Sequence, residues 1–129
     1  MSLIGRLFRC YAPGEAGENL ACRHLEQKGF EILDRNFRCR SGEVDVVARE
    51  GTSTVFVEVK ERHTQSHGDP YESVTFGKRR RLIRAARIYA ATHGLTEQPI
   101  RFDVVSVSWT GGTGPEIRHD PDAFDSDGA

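Results

Sequence analysis

The chain has 129 residues, 37% hydrophobic and 29% charged, with a net charge of −1. That length suits one globular domain with a modest core, and the composition excludes long apolar membrane spans and low-complexity tracts. The near-neutral total hides an asymmetry: five acids and one arginine fall from Glu116 onward, while residues 77–87 hold six bases and no acid. Overall charge does not demand a nucleic-acid partner, but the local charge permits one.

Taken in chain order, residues 1–12 read as an N-terminal arm, 13–119 as one α/β domain and 120–129 as an acidic tail. Arg6 and Arg9 interrupt the opening apolar stretch, so neither a signal peptide nor a membrane partner is expected. Ala12-Pro13-Gly14 leads into a helix expected over 14–28, which Gly29 is placed to end. Glu18, Ala21, Cys22 and Leu25 recur at helical spacing on one face of it. An acid on a face that packs against a sheet needs a cation, a hydrogen bond or a metal. Glu18 is therefore either paired with an arginine or part of a site.

Strands are expected over 31–38, 43–49 and 54–61, separated by turn signals at Arg40-Ser41-Gly42 and Arg49-Glu50-Gly51-Thr52. Within Thr54-Val55-Phe56-Val57-Glu58-Val59-Lys60, period-two alternation puts Val55, Val57 and Val59 on one face and Phe56, Glu58 and Lys60 on the other. Val44-Asp45-Val46-Val47 carries Asp45 into the preceding strand, and a hairpin would make the two strands neighbours. At a spacing of about 4.8 Å between strands, both carboxylates and the ammonium can converge. Two hard oxygen donors suit Mg²⁺ or Mn²⁺, which keep several waters. Lys60 could orient or deprotonate an attacking water, or stabilise charge on a phosphate. A structural ion-pair cluster is the alternative reading of the same residues.

The polar stretch 63–76, with Pro70, reads as a loop. His63 and His67 lack a cysteine pair or an HExxH spacing, so zinc is not expected. A second helix is expected over 77–92, stopping near His93-Gly94. Arg80, Arg84 and Arg87 form one stripe, opposite Leu82, Ala85, Ala86 and Tyr89, and Lys78, Arg79 and Arg81 flank its start. The stripe is either a solvated face or a track for phosphates, which Arg38, Arg40 and Arg62 would extend. A strand over 100–109, a turn over 111–115 and a short strand over 116–119 complete an α-β-β-β-α-β order. That order implies a mixed central sheet flanked by helices. Cys10, Cys22 and Cys39 form no CxxC pair, which fits a reduced, cytoplasmic setting. One tryptophan and scattered tyrosines and phenylalanines offer no evident stacking platform, so backbone and shape recognition of duplex or branched DNA is preferred to base readout.

GEVD at 42–45 followed by VFVEVK at 55–60 resembles the PD-(D/E)xK nuclease superfamily. The wider pattern resembles the bacterial YraN family: GENLA at 17–21, Gly29-Phe30, RNFR at 35–38, EVKER at 58–62, KRRRL at 78–82, RFDVV at 101–105, and Ile117-Arg118-His119 before Ala123-Phe124. The chain is also similar to archaeal Holliday-junction resolvases, which place a glutamate on the first helix ahead of the Asp…ExK set. That resemblance implies a restriction-endonuclease-like three-layer fold, active-site roles for Glu18, Asp45, Glu58 and Lys60, and a homodimer. It implies Asp45, Glu58 and Glu18 around Mg²⁺ or Mn²⁺, and DNA contacts from Lys78, Arg79, Arg80, Arg84, Arg87, Arg62 and Arg40. The expected activity is metal-dependent hydrolysis of DNA phosphodiesters, with branched structures as candidate substrates. A non-catalytic nucleic-acid-binding or protein-interaction module, or an assembly subunit with a structural charge cluster, is the rival.

Overall fold

The structure is a computed structural model that describes residues 15–63, 75–109 and 114–126. The expected arm over 1–12, Cys10, His67, Pro70 and the core of the 111–115 turn lie outside the described residues. The element order is α1 (Ala16–Gln27), β1 (Glu31–Cys39), β2 (Gly42–Glu50), β3 (Ser53–Arg62), α2 (Phe76–Thr92), β4 (Ile100–Ser108) and β5 (Glu116–Phe124). The strands lie in the order β1-β2-β3-β4-β5, antiparallel except for the parallel pair β3 and β4, whose connection is α2.

Strand alternation separates two cores, except in β2, where Val44 and Val46 flank Asp45 and join opposite cores. Val46, Ala48, Val55, Val57, Val105 and Val107 pack with Ala21, Cys22 and Leu25 of α1. Val44, Val47, Phe56, Phe102 and Val104 pack with Leu82, Ala85, Ala86 and Tyr89 of α2. Valine 55 and 57 thus face one helix and Phe56 the other, as period two requires. The result is three layers, helix on sheet on helix, in which β-branched strands are buried on both faces. Helix α1 ends where Gly29 takes φ +96°, a left-handed turn that a side chain resists.

Two local irregularities matter below. In β1 the register against β2 slips between Ile32 and Asp34, and Asn36 adopts φ +55°. In β5 the register against β4 slips between Phe102 and Val104, with Asp122 at φ +53°. The strand expected over 116–119 instead runs to the buried Phe124, taking in residues that composition assigns to the acidic tail. Pro121 lacks an N–H for a ladder, which argues against a strand, but β5 is an edge strand and the bulge places the proline where no donor is needed.

Candidate active site

Strands β2 and β3 are paired from Glu50↔Ser53 to Val46↔Val57. One step further stand Asp45 and Glu58, where the ladder ends. There the Val59 N–H donates to Asp45 Oδ2 at 2.8 Å. The backbone donor is taken by a carboxylate, so the two acids face each other at the end of the sheet. Lys60, two residues on along the same face, brings Nζ to 3.7 Å from Glu58 Oε1. Lys78, from the first turn of α2, brings its Nζ to 3.3 Å from the same oxygen. Thr75 caps that turn by accepting the Lys78 N–H. The turn is held close to the β1–β2 hairpin: a Cβ on Gly42 would stand 2.6 Å from the Arg81 carbonyl oxygen, so only glycine lets the two backbones approach.

The electrostatics of the acid pair are unbalanced. Burial, and then the Glu58 charge, push Asp45 up to about 8, against the one Val59 N–H that favours its ionised form. Burial and the adjacent Lys78 lower the Lys60 pKa, while Glu58 pulls the other way. The hydrogen bond with Lys60, together with Glu58, outweighs burial and raises Lys78.

Glu18 lies on the buried face of α1, as its spacing requires, but its carboxylate is held by a different set. Arg35 Nη2 donates to Glu18 Oε1 at 3.2 Å and Asn36 Nδ2 at 3.1 Å. Arg35 also bonds Asn19 and Glu15. The left-handed Asn36 turns its amide toward α1, a conformation asparagine tolerates better than most residues. Burial raises the Glu18 pKa, the Arg35 hydrogen bond opposes it, and the Glu15 charge adds to the rise. The Glu18 charge also raises Asp45, by less than burial or Glu58 does. Among the described residues no three His, Cys, Asp or Glu side chains gather as a metal-binding group.

The acids open onto a groove of about 970 Å³, walled by Arg38, Arg40, Lys78, Arg81 and Arg84 with Glu43 at its rim. Arg40, Lys78 and Arg84 thus stand beside the acids, and Arg38 and Arg81 join them. The other expected contacts are placed differently. Arg79 lies over the Phe124 ring at 5.3 Å and Arg80 over Phe76 at 5.7 Å. Arg87 donates to the Ser126 carbonyl at 3.4 Å, near the end of β5. Arg62 closes β3, its carbonyl accepting the Trp109 N–H at 2.8 Å. An arginine partner for Glu18 was one expected alternative, but which arginine, and the asparagine beside it, were not legible, because neither spacing nor composition links Arg35 and Asn36 to α1. The RNFR motif was the one available signal.

Two carboxylates, rather than three, fit a hard cation that keeps most of its water. Both lysines reach Oε1 of Glu58, the Val59 N–H reaches Oδ2 of Asp45, and the two carboxyl groups hydrogen-bond each other, a contact that a cation held between them would replace. The donor chemistry fits Mg²⁺ or Mn²⁺ and not a soft-ligand metal.

The sheet order and its flanking helices make this a restriction-endonuclease-like α/β protein. Its sequence matches the pattern of Uncharacterised protein family UPF0102 over residues 17–107, and the chain belongs to that family. It is 50% identical over 117 residues to a UPF0102 protein of Anaeromyxobacter dehalogenans, covering 91% of this chain and 87% of that one. It is 47% identical over 118 residues to a UPF0102 protein of Nocardia farcinica, covering 92% and 93%. A UPF0102 protein of Geobacter metallireducens is 45% identical over 112 residues, covering 87% and 91%. This is the family to which the YraN resemblance pointed, and these names assign no activity.

Proposed function

We propose that the protein is a divalent-metal-dependent endonuclease that hydrolyses DNA phosphodiesters, with branched duplex as the preferred substrate. The observation that carries this reading is Asp45. Its half-buried carboxylate lies beside Glu58 with one backbone donor, its pKa is pushed up to about 8, and it opens onto a groove rimmed with bases. Perturbed carboxylates in a cleft are where functional chemistry is expected.

Asp45 and Glu58 would hold Mg²⁺ or Mn²⁺, with the Val59 carbonyl as a further donor. The ion supplies a more acidic bound water and offsets charge on the phosphoryl group. The residues of the chain do the rest. Lys60, with its lowered pKa, orients the attacking water and accepts its proton at Nζ. Lys78 faces the groove and meets a phosphate oxygen. Glu18, fixed by Arg35 and Asn36, orders a water at the edge of the site rather than acting as a third direct ligand. Arg40, Arg84 and their neighbours contact phosphates rather than bases. A cytoplasmic location and a homodimer belong to the same proposal. No described helix is long and apolar enough to cross a membrane.

A non-catalytic nucleic-acid or protein-binding module is the second reading. The observation on its side is that Glu58 already has two lysine partners. Calorimetric titration with Mn²⁺ and a cleavage assay on linear, nicked and four-way-junction DNA separate the two. Wild type should bind one or two ions and cleave at least one substrate. Asp45→Ala should lose both, and Glu58→Ala and Lys60→Ala should lose cleavage with the fold retained. Metal-independent cleavage, or full activity in Glu58→Ala, sinks the catalytic reading.

A further inference from the structure

A second surface at the same end of the sheet is built from Glu61, His63 and Trp109. Alternation puts Glu61 on the α1 face of β3, opposite Glu58 and Lys60. Its carboxylate lies against Gly17 in the first turn of α1, so closely that a Cβ on Gly17 would collide with it. The positive end of the helix dipole favours an anion there. Trp109 follows β4, and the Arg62 carbonyl takes its N–H at 2.8 Å, which seats the indole beside the end of β3. The indole Nε1–H donates to Glu61 Oε1 at 2.7 Å, and His63 Nε2 lies 3.3 Å from the same oxygen. One oxygen therefore holds two rings. They are parallel to within 3°, with centroids 5.9 Å apart. Trp109 rests partly on the α1 core, whereas the His63 side chain is 69% exposed.

We propose that this stacked pair is a platform for an unpaired nucleobase next to the cleavage site. An exposed ring gains nothing for the core by being held parallel to a tryptophan, but it offers a π-face already oriented for stacking. Glu61 is three residues beyond Glu58, about 10 Å along the strand. The platform lies on the other face of β3 from the acid pair, so an unpaired strand leaving the groove would reach it by passing around the end of the sheet. The inference rests on reading the groove as a DNA track, and it narrows the substrate to DNA whose bases are unstacked beside the scissile phosphate. Stacking is tolerant of sequence, since every base has a π-face.

The chain contains one tryptophan, so intrinsic fluorescence reports on Trp109 directly. Without divalent cations, an oligothymidylate of about twelve nucleotides and a four-way junction should quench it more strongly than a blunt duplex. His63→Ala should weaken oligothymidylate binding about ten-fold and leave blunt-duplex binding unchanged. Abasic sites in the unpaired strand should abolish the quench. Trp109→Phe, which keeps a ring but loses the Glu61 hydrogen bond and the intrinsic signal, should fall between His63→Ala and wild type in affinity when binding is read from the anisotropy of a dye-labelled oligothymidylate. Equal quenching by all three DNAs, no quenching, or wild-type affinity in His63→Ala overturns the proposal. Because the readout is binding without metal, quenching without cleavage leaves the platform standing while the nuclease reading fails. Cleavage without quenching does the reverse.

Discussion

Asp45 is half-buried and Asp103 fully buried on strands of one sheet, and their environments drive them in opposite directions. Burial alone would raise Asp103 too, but the Arg101 hydrogen bonds, with those of His119 and the Asp122 N–H, overcome it and hold the group down at about 2. Arg101 grips it from Nε at 2.8 Å and Nη2 at 2.9 Å, and reaches Glu50 at 2.7 Å with Nη1. His119 Nε2 lies 2.7 Å from Oδ2, and its Nδ1 faces Lys28 Nζ at 2.6 Å. Asp45 has one N–H and a second carboxylate. The same residue type is structural where every lone pair is met, and a candidate for chemistry where burial is left uncompensated. Asp103 also explains the bulge in β5, since it accepts the Asp122 N–H at 3.0 Å and so replaces the missing ladder bond.

The largest expected effect lies on the Asp103 side. Asp103→Ala leaves Arg101 with Glu50 alone and deprives the buried His119 Nε2 and the Asp122 N–H of their partner, and should destabilise the fold by about 3 kcal/mol, read from denaturant unfolding. The folded pKa of Asp103 is below its unfolded value. Its contribution is therefore present above about pH 4 and lost as pH falls toward about 2. A loss below roughly 0.5 kcal/mol would mean that the network adds nothing beyond packing.

Asp45 should show the opposite sign and a smaller size. Its folded pKa lies above its unfolded value, so ionisation penalises the metal-free fold progressively from about pH 4 up to about pH 8. Asp45→Asn should raise stability by roughly 1–3 kcal/mol near pH 8, allowing for the site's partial access to water, and the gain should shrink toward about pH 4. Thermal melts across pH without metal decide it. The variant should also lose the rise in Tm that Mn²⁺ gives wild type, a rise that should itself grow with pH as binding displaces the Asp45 proton. Destabilisation of Asp45→Asn at alkaline pH would turn the acid pair into a second structural cluster and erase the contrast.

The smallest effect concerns the groove beside Asp45. The triple variant Arg40→Ala, Arg81→Ala, Arg84→Ala should keep its fold and Mn²⁺ affinity. It should flatten the dependence of log K on log salt by about 0.9 per lost phosphate contact to B-DNA. Arg79→Ala with Arg87→Ala, whose side chains meet Phe124 and the Ser126 carbonyl, should change that slope less. If the second pair matters more, the DNA track runs along the β5 side of α2.

Much of the layered fold was legible in the residues. Alternation in Val55 to Lys60 assigns both faces of β3, and the spacing of Ala21, Cys22 and Leu25 assigns the inner face of α1, because side-chain direction follows from backbone period. The extension of β5 was not legible. Pro121 reads as a strand breaker until its edge position and the Asp103 carboxylate are known. Nor was the Asp103 network, since Arg101 lies two residues away in RFDVV but the other partner, His119, is sixteen residues away. At the candidate site the strand pattern brought Asp45, Glu58 and Lys60 together, and left Lys78 as one base among six.

The sequence alone determined which residues share a face in β3 and in α1, since periods of 2.0 and 3.6 are properties of the backbone, but not the break in β2 that sends Val44 and Val46 to opposite cores. Only the tertiary structure decided which acids are compensated. Glu18 is met by Arg35 and Asn36 from β1, Asp103 by His119 from β5, and Asp45 by another acid. Charge stabilisation depends on distance and burial in space, and neither is carried by order along the chain.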